Sequence, residues 1–402
     1  MKLTPALCVL STIIAILLLA GATLALGQSG KDIYEFAGGV DGQWPNGAVI
    51  FDSSGSLYGV TEEGGLYSSG TVYKLNPPSE AGGPWTKEVL YDFTGGADGA
   101  DPFAALVLDN TGSLYGVNGY GGALTQCAEG CGTIFQLTPP AVSGDPWTET
   151  TIYTFHNELG RIGLTVDAAG ALYTAASSYT TNDTYIFKLS PPQTMGGVWT
   201  KTVLSNVAFD IVPDLVFDKV GALYGAVWSS IFKLSPPAAS GGDWTLRYIY
   251  YFSGYNEDPY AGPIFDKSTG HLFGTVPYGG HTGCGGSCGA VYELAESGNV
   301  MHEENIYDFT GRRDGFFPMA TVTFDSTGAL YATSSFGSHF GPGSVIRLTR
   351  TQTRAWTETT LWQVIGGNFS GPVSTLVVHD GGLFGTTQRG GSGYGAVFQV
   401  DP

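Results

Sequence analysis

Three groups of residues carry side chains that could do chemistry. The first is four cysteines, spaced as Cys127-x-x-x-Cys131 and Cys284-x-x-x-Cys288, each pair inside a glycine-rich stretch. Four thiolates could close round zinc, or each pair could close on itself as a disulfide. The second is a set of turn aspartates, Asp41, Asp98 and Asp314, with Asp258 roughly equivalent, in Gly-Gly-x-Asp-Gly or related segments. A hard cation such as calcium needs several oxygens round one point. Each turn offers one or two carboxylates, so a structural turn role is expected, no cofactor is assigned and calcium is not favoured. The third group is His156, Glu158, Arg161, Asp210, Asp214 and Trp228, which interrupt an otherwise repetitive pattern. They form the candidate ligand-binding set, because a unique site on a repetitive scaffold needs an asymmetry; drift among repeats would leave the same mark.

Other signals carry less. Gly285-Gly-Ser287-Cys-Gly289 matches Gly-x-Ser-x-Gly, but a nucleophile elbow needs a strand before it and a helix after it. Here the serine sits between two cysteines. The six histidines, His156, His271, His281, His302, His339 and His379, are scattered without ligand spacing. A carboxylate pair for glycoside cleavage would have to assemble from separate repeats, and no local pattern marks one. No catalytic residue and no metal ligand is assigned.

What must position these residues is a repeat. A Leu-aromatic pair recurs at Leu57-Tyr58, Leu114-Tyr115, Leu172-Tyr173, Leu223-Tyr224, Leu272-Phe273, Leu330-Tyr331 and Leu383-Phe384. Six of these follow an Asp-to-Gly turn, such as Asp52–Gly55, and the seventh follows Asp380-Gly381-Gly382. Aspartate opening a turn and glycine closing it suit a short hairpin. Each unit reads as four strands, in the second copy Ala104–Asp109, Ser113–Asn118, Thr133–Thr138 and Trp147–Phe155. A four-stranded unit of about 50 residues is the size of a propeller blade. The expected fold is therefore all-β, a single seven-bladed β-propeller over residues 28–402.

The phase of the repeats adds a detail. The chain enters on an outer-strand sequence, Asp32–Phe36, and leaves on a third-strand sequence, Ala396–Val400. Ile33–Phe36 is predicted to pair near Val397, completing the last blade and closing the ring. On that ring the cysteine pairs occupy copies two and five, too far apart to share a zinc ion. Two local disulfides are expected instead, each stabilising by roughly 2 kcal/mol. Loops from fourth to first and from second to third strands share one face. That face carries the Asp-Gly segments, the cysteine loops and Trp44, Phe103, Tyr120, Tyr278, Phe316, Phe336 and Phe340. A ligand is expected there or at the channel mouth, although each of these aromatics taken singly is expected to pack between blades.

Composition limits the partners. With 61 glycines and only 13% charged residues, the chain has many tight turns and few helix-like charged surfaces. Its net charge of −18 argues against nucleic acid and anionic lipid. A monomer is expected. Residues 1–27 read as a signal peptide: Lys2, an apolar run from Ala6 to Ala20, then Ala25-Leu26-Gly27 with cleavage expected before Gln28. An uncleaved anchor is the other reading, since Pro5–Leu26 is long enough to span a bilayer. Secretion, or a place in the periplasm or envelope, is expected, with no membrane contact beyond the leader.

The unit Phe93-Thr-Gly-Gly-Ala-Asp-Gly, Asp101-Pro102, Leu106–Asp109, Gly112-Ser-Leu-Tyr-Gly, Gly121-Gly122, Gly132-Thr-Ile-Phe resembles the GloVer tandem repeat, over nearly all of residues 33–402. The resemblance implies an exported bacterial β-propeller-like protein and brings no activity or catalytic residues. Copies three and four depart from it, lacking the Gly-Gly-x-Asp-Gly and Gly-Gly elements. No sorting segment follows the last strand, so any anchoring is expected through the leader or a partner. The function expected is a binding or scaffold module for extracellular glycan or protein. The alternatives are a polysaccharide lyase or hydrolase working at the central channel, and a purely structural envelope protein.

Overall fold

The structure, a computed structural model, describes residues 30–402 except 81, 124–126, 161, 179, 182, 195, 209–213, 240, 254–257, 281–283, 285–286, 299, 338–340, 354, 365–370 and 373. The leader, residues 1–27, lies outside the described residues. Local order begins at the Asp-to-Gly turns. Asp52 Oδ1 accepts the backbone N–H groups of Ser54 and Ser56 at 2.8 and 3.0 Å, and its Oδ2 accepts the Tyr58 hydroxyl at 2.9 Å. The same hydroxyl-to-carboxylate bond recurs at Tyr115/Asp109, Tyr173/Asp167, Tyr224/Asp218 and Tyr331/Asp325. In these five blades one carboxylate thus closes the hairpin and anchors the aromatic residue of the strand that follows. The recurring Leu-Tyr pair is explained by that bond as much as by packing.

The hairpins build antiparallel four-stranded sheets. In the first blade Gln43–Phe51 lies innermost, followed by Leu57–Glu63, Thr71–Asn76 and the outer Thr86–Asp92. Seven such sheets form a ring, a seven-bladed β-propeller, and the only helix among the described residues is the 3-10 turn Gly39–Asp41. Inner strands are mostly shorter than the sequence predicts. In the second blade the inner ladder is Val107–Leu108 instead of residues 104–109, with Ala100–Pro102 pairing further along the same Leu114–Tyr120 strand. Sheet twist carries an inner strand off its neighbour within a few residues.

All seven blades carry a bulge where the third and outer strands pair, as between Val72 and Tyr73 or between Thr151 and Tyr153. The extra residue re-aims the side chains beyond it. Both rings of an aromatic-x-Phe segment then meet, Tyr91 and Phe93 at 5.1 Å between centroids and nearly perpendicular. Space for the third-strand ring comes from a glycine. A Cβ on Gly116 would lie 2.3 Å from the Phe135 ring, so a side chain there would displace the core.

Seven hydrophobic clusters fill the seven seams between blades, one cluster to a seam. The ring closes as predicted. Gly30–Glu35 runs antiparallel to Ala396–Val400, with Asp32 opposite Phe398 and Tyr34 opposite Val397. Phe36 then packs with Val49, Leu57 and Tyr73 of the first blade and Phe384 and Val397 of the last.

Candidate functional site

The connections from second to third strands, and from one blade to the next, emerge on what is called here the loop face. The Asp-to-Gly turns and the third-to-outer connections form the turn face. On the loop face each cysteine pair closes on itself, with Cα atoms 5.3 Å apart for Cys127 and Cys131 and 5.4 Å for Cys284 and Cys288. The turn aspartates are engaged within their own loops. Asp98 accepts Thr94 N–H at 2.8 Å, its hydroxyl at 2.5 Å and the Tyr91 hydroxyl at 3.1 Å. Asp314 repeats this with Thr310 and Tyr307. Among the described residues no group of three or more His, Cys, Asp or Glu is placed to hold a metal ion.

The candidate set from copies three and four divides. Arg161 and Asp210 lie outside the described residues. Glu158 takes Lys201 Nζ at 2.5 Å and the Tyr153 hydroxyl at 3.3 Å, which is the role of Asp41 with Lys87 and Tyr34 at the ring closure. Its departure from the repeat is therefore one of spacing, not of task. His156 is exposed on the turn just before it. Asp214 begins the innermost segment of blade 4 and abuts Gly262 of blade 5. The residue is exposed, so solvent screens its carboxyl. Desolvation raises it to about 6, against a backbone hydrogen bond from Gly262.

Trp228 stands apart. It sits at the tip of a hairpin where Val227 already pairs with Ser230, a two-residue loop that favours glycine or asparagine. Its φ is 44°, in the left-handed region, and its side chain is 61% exposed. Tyr251, 62% exposed, occupies the middle of an aromatic-x-Phe segment where other blades place Glu35, Asp92, Thr154 and Asp308. Tyr260, in the connection to blade 5, is also exposed. The aromatics expected on this face behave differently. Phe103 packs into the seam of blades 2 and 3. Tyr278 meets Phe317 at 4.7 Å, and Phe316 meets Phe336 at 5.7 Å. Arg389 lies over the Trp44 ring at 5.4 Å. Phe340 lies outside the described residues.

Carboxylate pairs also occur where the sequence marked none. Burial, and secondarily Asp98, pushes Glu149 up to about 7, with a hydrogen bond from Thr151 opposing the shift. Glu358 is raised in the same way beside Asp314. A raised carboxyl beside a second carboxylate suits acid–base chemistry. These two stand at equivalent places in two seams, however, which fits a feature of the repeat better than a unique active centre.

The turn face holds the feature that sequence reasoning missed. A cleft of about 590 Å³ opens between blades 5 and 6, lined by His271, Glu293, His302, Glu303, Glu304 and Arg350 among others. Glu293 is buried, with Oε1 2.6 Å from His271 Nδ1 and Oε2 accepting Arg350 Nη2 at 2.9 Å. Arg350 also lies over the Trp356 ring. The registers show why this seam is different. The residue facing the second-strand aromatic is Lys74, Gln136, Lys188, Lys233, Arg347 or Gln399 in the other six blades, and Glu293 here. Where His271 stands, the others have Ser56, Ser113, Ala171, Ala222, Ala329 and Gly382. Aligning the seven copies position by position would have exposed both exceptions.

Residues 23–229, just over half of the chain, match the Gloeobacter/Verrucomicrobia repeat. The chain belongs to this repeat family. No curated protein matches its sequence. Solved propellers resemble this family member in shape. The polysaccharide lyase Uly1 is 11% identical, with 92% of each chain covered and a TM-score of 0.52. A candidate 6-phosphogluconolactonase from Bacteroides uniformis is 13% identical, with 81% of this chain and 86% of that one covered and a TM-score of 0.51. The extracellular domain of a candidate one-component system from B. thetaiotaomicron is 11% identical and covers 92% of this chain and 40% of that one, at a TM-score of 0.55. At these identities the likeness speaks for the fold alone.

Proposed function

We propose that this repeat protein is an exported glycan-binding module whose ligand stacks on the exposed aromatics of the loop face at blades 4 and 5. The observation that carries the reading is Trp228. A bulky residue in the left-handed region costs about 1 kcal/mol, and its exposed ring recovers little of that by burial. Strain without burial gain is a mark of binding sites. Tyr251 and Tyr260 add amphipathic rings of the type that dominates recognition surfaces, and Asp214 supplies a carboxyl at the axis. The net charge of −18 disfavours nucleic acid as the ligand. Export is supported by the two disulfides, which persist in oxidising compartments.

A glycan array run beside a depolymerisation assay on the same protein tests this. Trp228→Gly is the informative variant, because glycine relieves the backbone strain. The expected result is a melting temperature equal to or above that of the parent, with binding to the array hit weakened at least tenfold. Unchanged binding in Trp228→Gly would sink the reading. Release of oligosaccharides would move it to an enzyme.

A further inference from the structure

The turn-face cleft lies on the opposite side of the ring and is independent of the glycan reading. We propose that it binds a first-row transition-metal dication, such as zinc or nickel, through the imidazoles of His271 and His302 and the carboxylate of Glu304. His271 is already held as metal-ligating histidines are held, with one ring nitrogen committed to a carboxylate and the other left for the ion. Glu293 is fixed in turn by Arg350 on the neighbouring blade, so the orientation of the imidazole is set across the seam before any ion arrives. His302 faces Ala295 and Glu304 faces Glu293 in the strand register, which puts both side chains on the same surface of the sheet as Glu293. Alanine at 295 leaves room beside His302.

Charge and ligand type favour the same occupant. Glu293 and Glu304 carry their charge into the cleft against one guanidinium, that of Arg350. Carboxylates directly opposite across a strand pair destabilise each other, and a bound dication would relieve Glu293 and Glu304. Imidazole ligands select zinc, copper or nickel over calcium and magnesium. In this structure no three potential ligands surround one point among the described residues. The site therefore closes by rotation of His302 and Glu304, both exposed side chains.

Titration calorimetry and thermal melting of untagged, EDTA-stripped protein, with zinc, nickel and calcium chlorides in parallel, test the assignment. Zinc is expected to bind one to one and to raise the melting temperature by several degrees. His271→Ala and His302→Ala should each weaken zinc at least tenfold, and His302→Ala should keep the metal-free melting temperature. Glu293→Gln, which retains both ligands but loses the carboxylate that holds His271, should weaken zinc by roughly 10- to 100-fold. No zinc binding by the parent, zinc binding unchanged in either histidine variant, or calcium bound as tightly as zinc would each overturn the proposal.

Discussion

The seam between blades 2 and 3 and the seam between blades 5 and 6 use the same strands, turns and bulges, yet end in different electrostatics. In the first, the loop side holds the Glu158–Lys201 ion pair, and the turn side holds Tyr115 between Asp109 and Gln136. Neither side sets two like charges of this group against each other. In the second, Glu358 faces Asp314 on the loop side, while Glu293 opposes Glu304 on the turn side with His271 and Arg350 as compensation. The backbone ladder and the packed rings are common to both, so the seam tolerates like charges because its stability resides elsewhere. A repeat that tolerates a broken local rule can place chemistry at one seam without altering the scaffold.

Several substitutions would break or sharpen this contrast. The largest effect is expected from Glu293→Lys, which restores the lysine found in blades 1, 3 and 4 but sets it against Arg350 and His271. A loss of about 3 kcal/mol in urea unfolding is expected, typical of a buried pair turned into a repulsion, and Arg350→Thr in the same chain should recover much of it. An unmoved midpoint for the single variant would show that the network does not hold the seam. Next comes Tyr115→Phe, which removes the bonds to Asp109 and Gln136 and should cost about 1 kcal/mol. The reverse change in blade 5, Phe273→Tyr, should be nearly neutral, because Ser268 and Thr269 already occupy the Asp266 carboxylate.

The smallest effect is a pH dependence. Burial and then Asp314 hold the Glu358 carboxyl above the usual carboxylate range, against a hydrogen bond from Thr360. A carboxyl raised on folding adds stability below its unfolded value, and that stability is lost as pH rises through the folded value. Glu358→Gln should therefore melt about 1 °C above the parent at pH 8 and no differently at pH 4. Glu158→Gln removes the Lys201 ion pair and should melt lower at pH 8. Shifts of the same sign in both variants would erase the contrast between the seams.

Much of the scaffold was legible because its signals are local and repeated. The Leu-aromatic spacing gave the blade count, and the outer-strand character of Asp32–Phe36 gave the closure on Val397. Cysteine spacing gave two disulfides, and the poverty of carboxylates per loop gave structural roles for Asp98 and Asp314. The cleft was illegible for the opposite reason. His271, Glu293 and Arg350 meet across 22 and 57 positions and a blade boundary, so no window of sequence contains them. Trp228 was noticed as an irregularity, but its φ depends on the two-residue hairpin, which shows only once Val227 is seen to pair with Ser230. Inner strands came out too long because residues suited to extension do not reveal where twist ends a ladder.

Ring closure has a temporal consequence. Gly30–Glu35 leaves the ribosome ahead of every blade, yet its partner Ala396–Val400 is made after all the other strands of the ring. Gly30–Glu35 must stay unpaired until that edge emerges, and the ring is completed by the meeting of two segments far apart in sequence. That capture is first order in a dilute chain, whereas the same edge on a neighbour competes in proportion to concentration. Refolding at high concentration should thus yield interlinked pairs, each ring fastened by the other's leading strand, and slow refolding at low concentration should yield single rings.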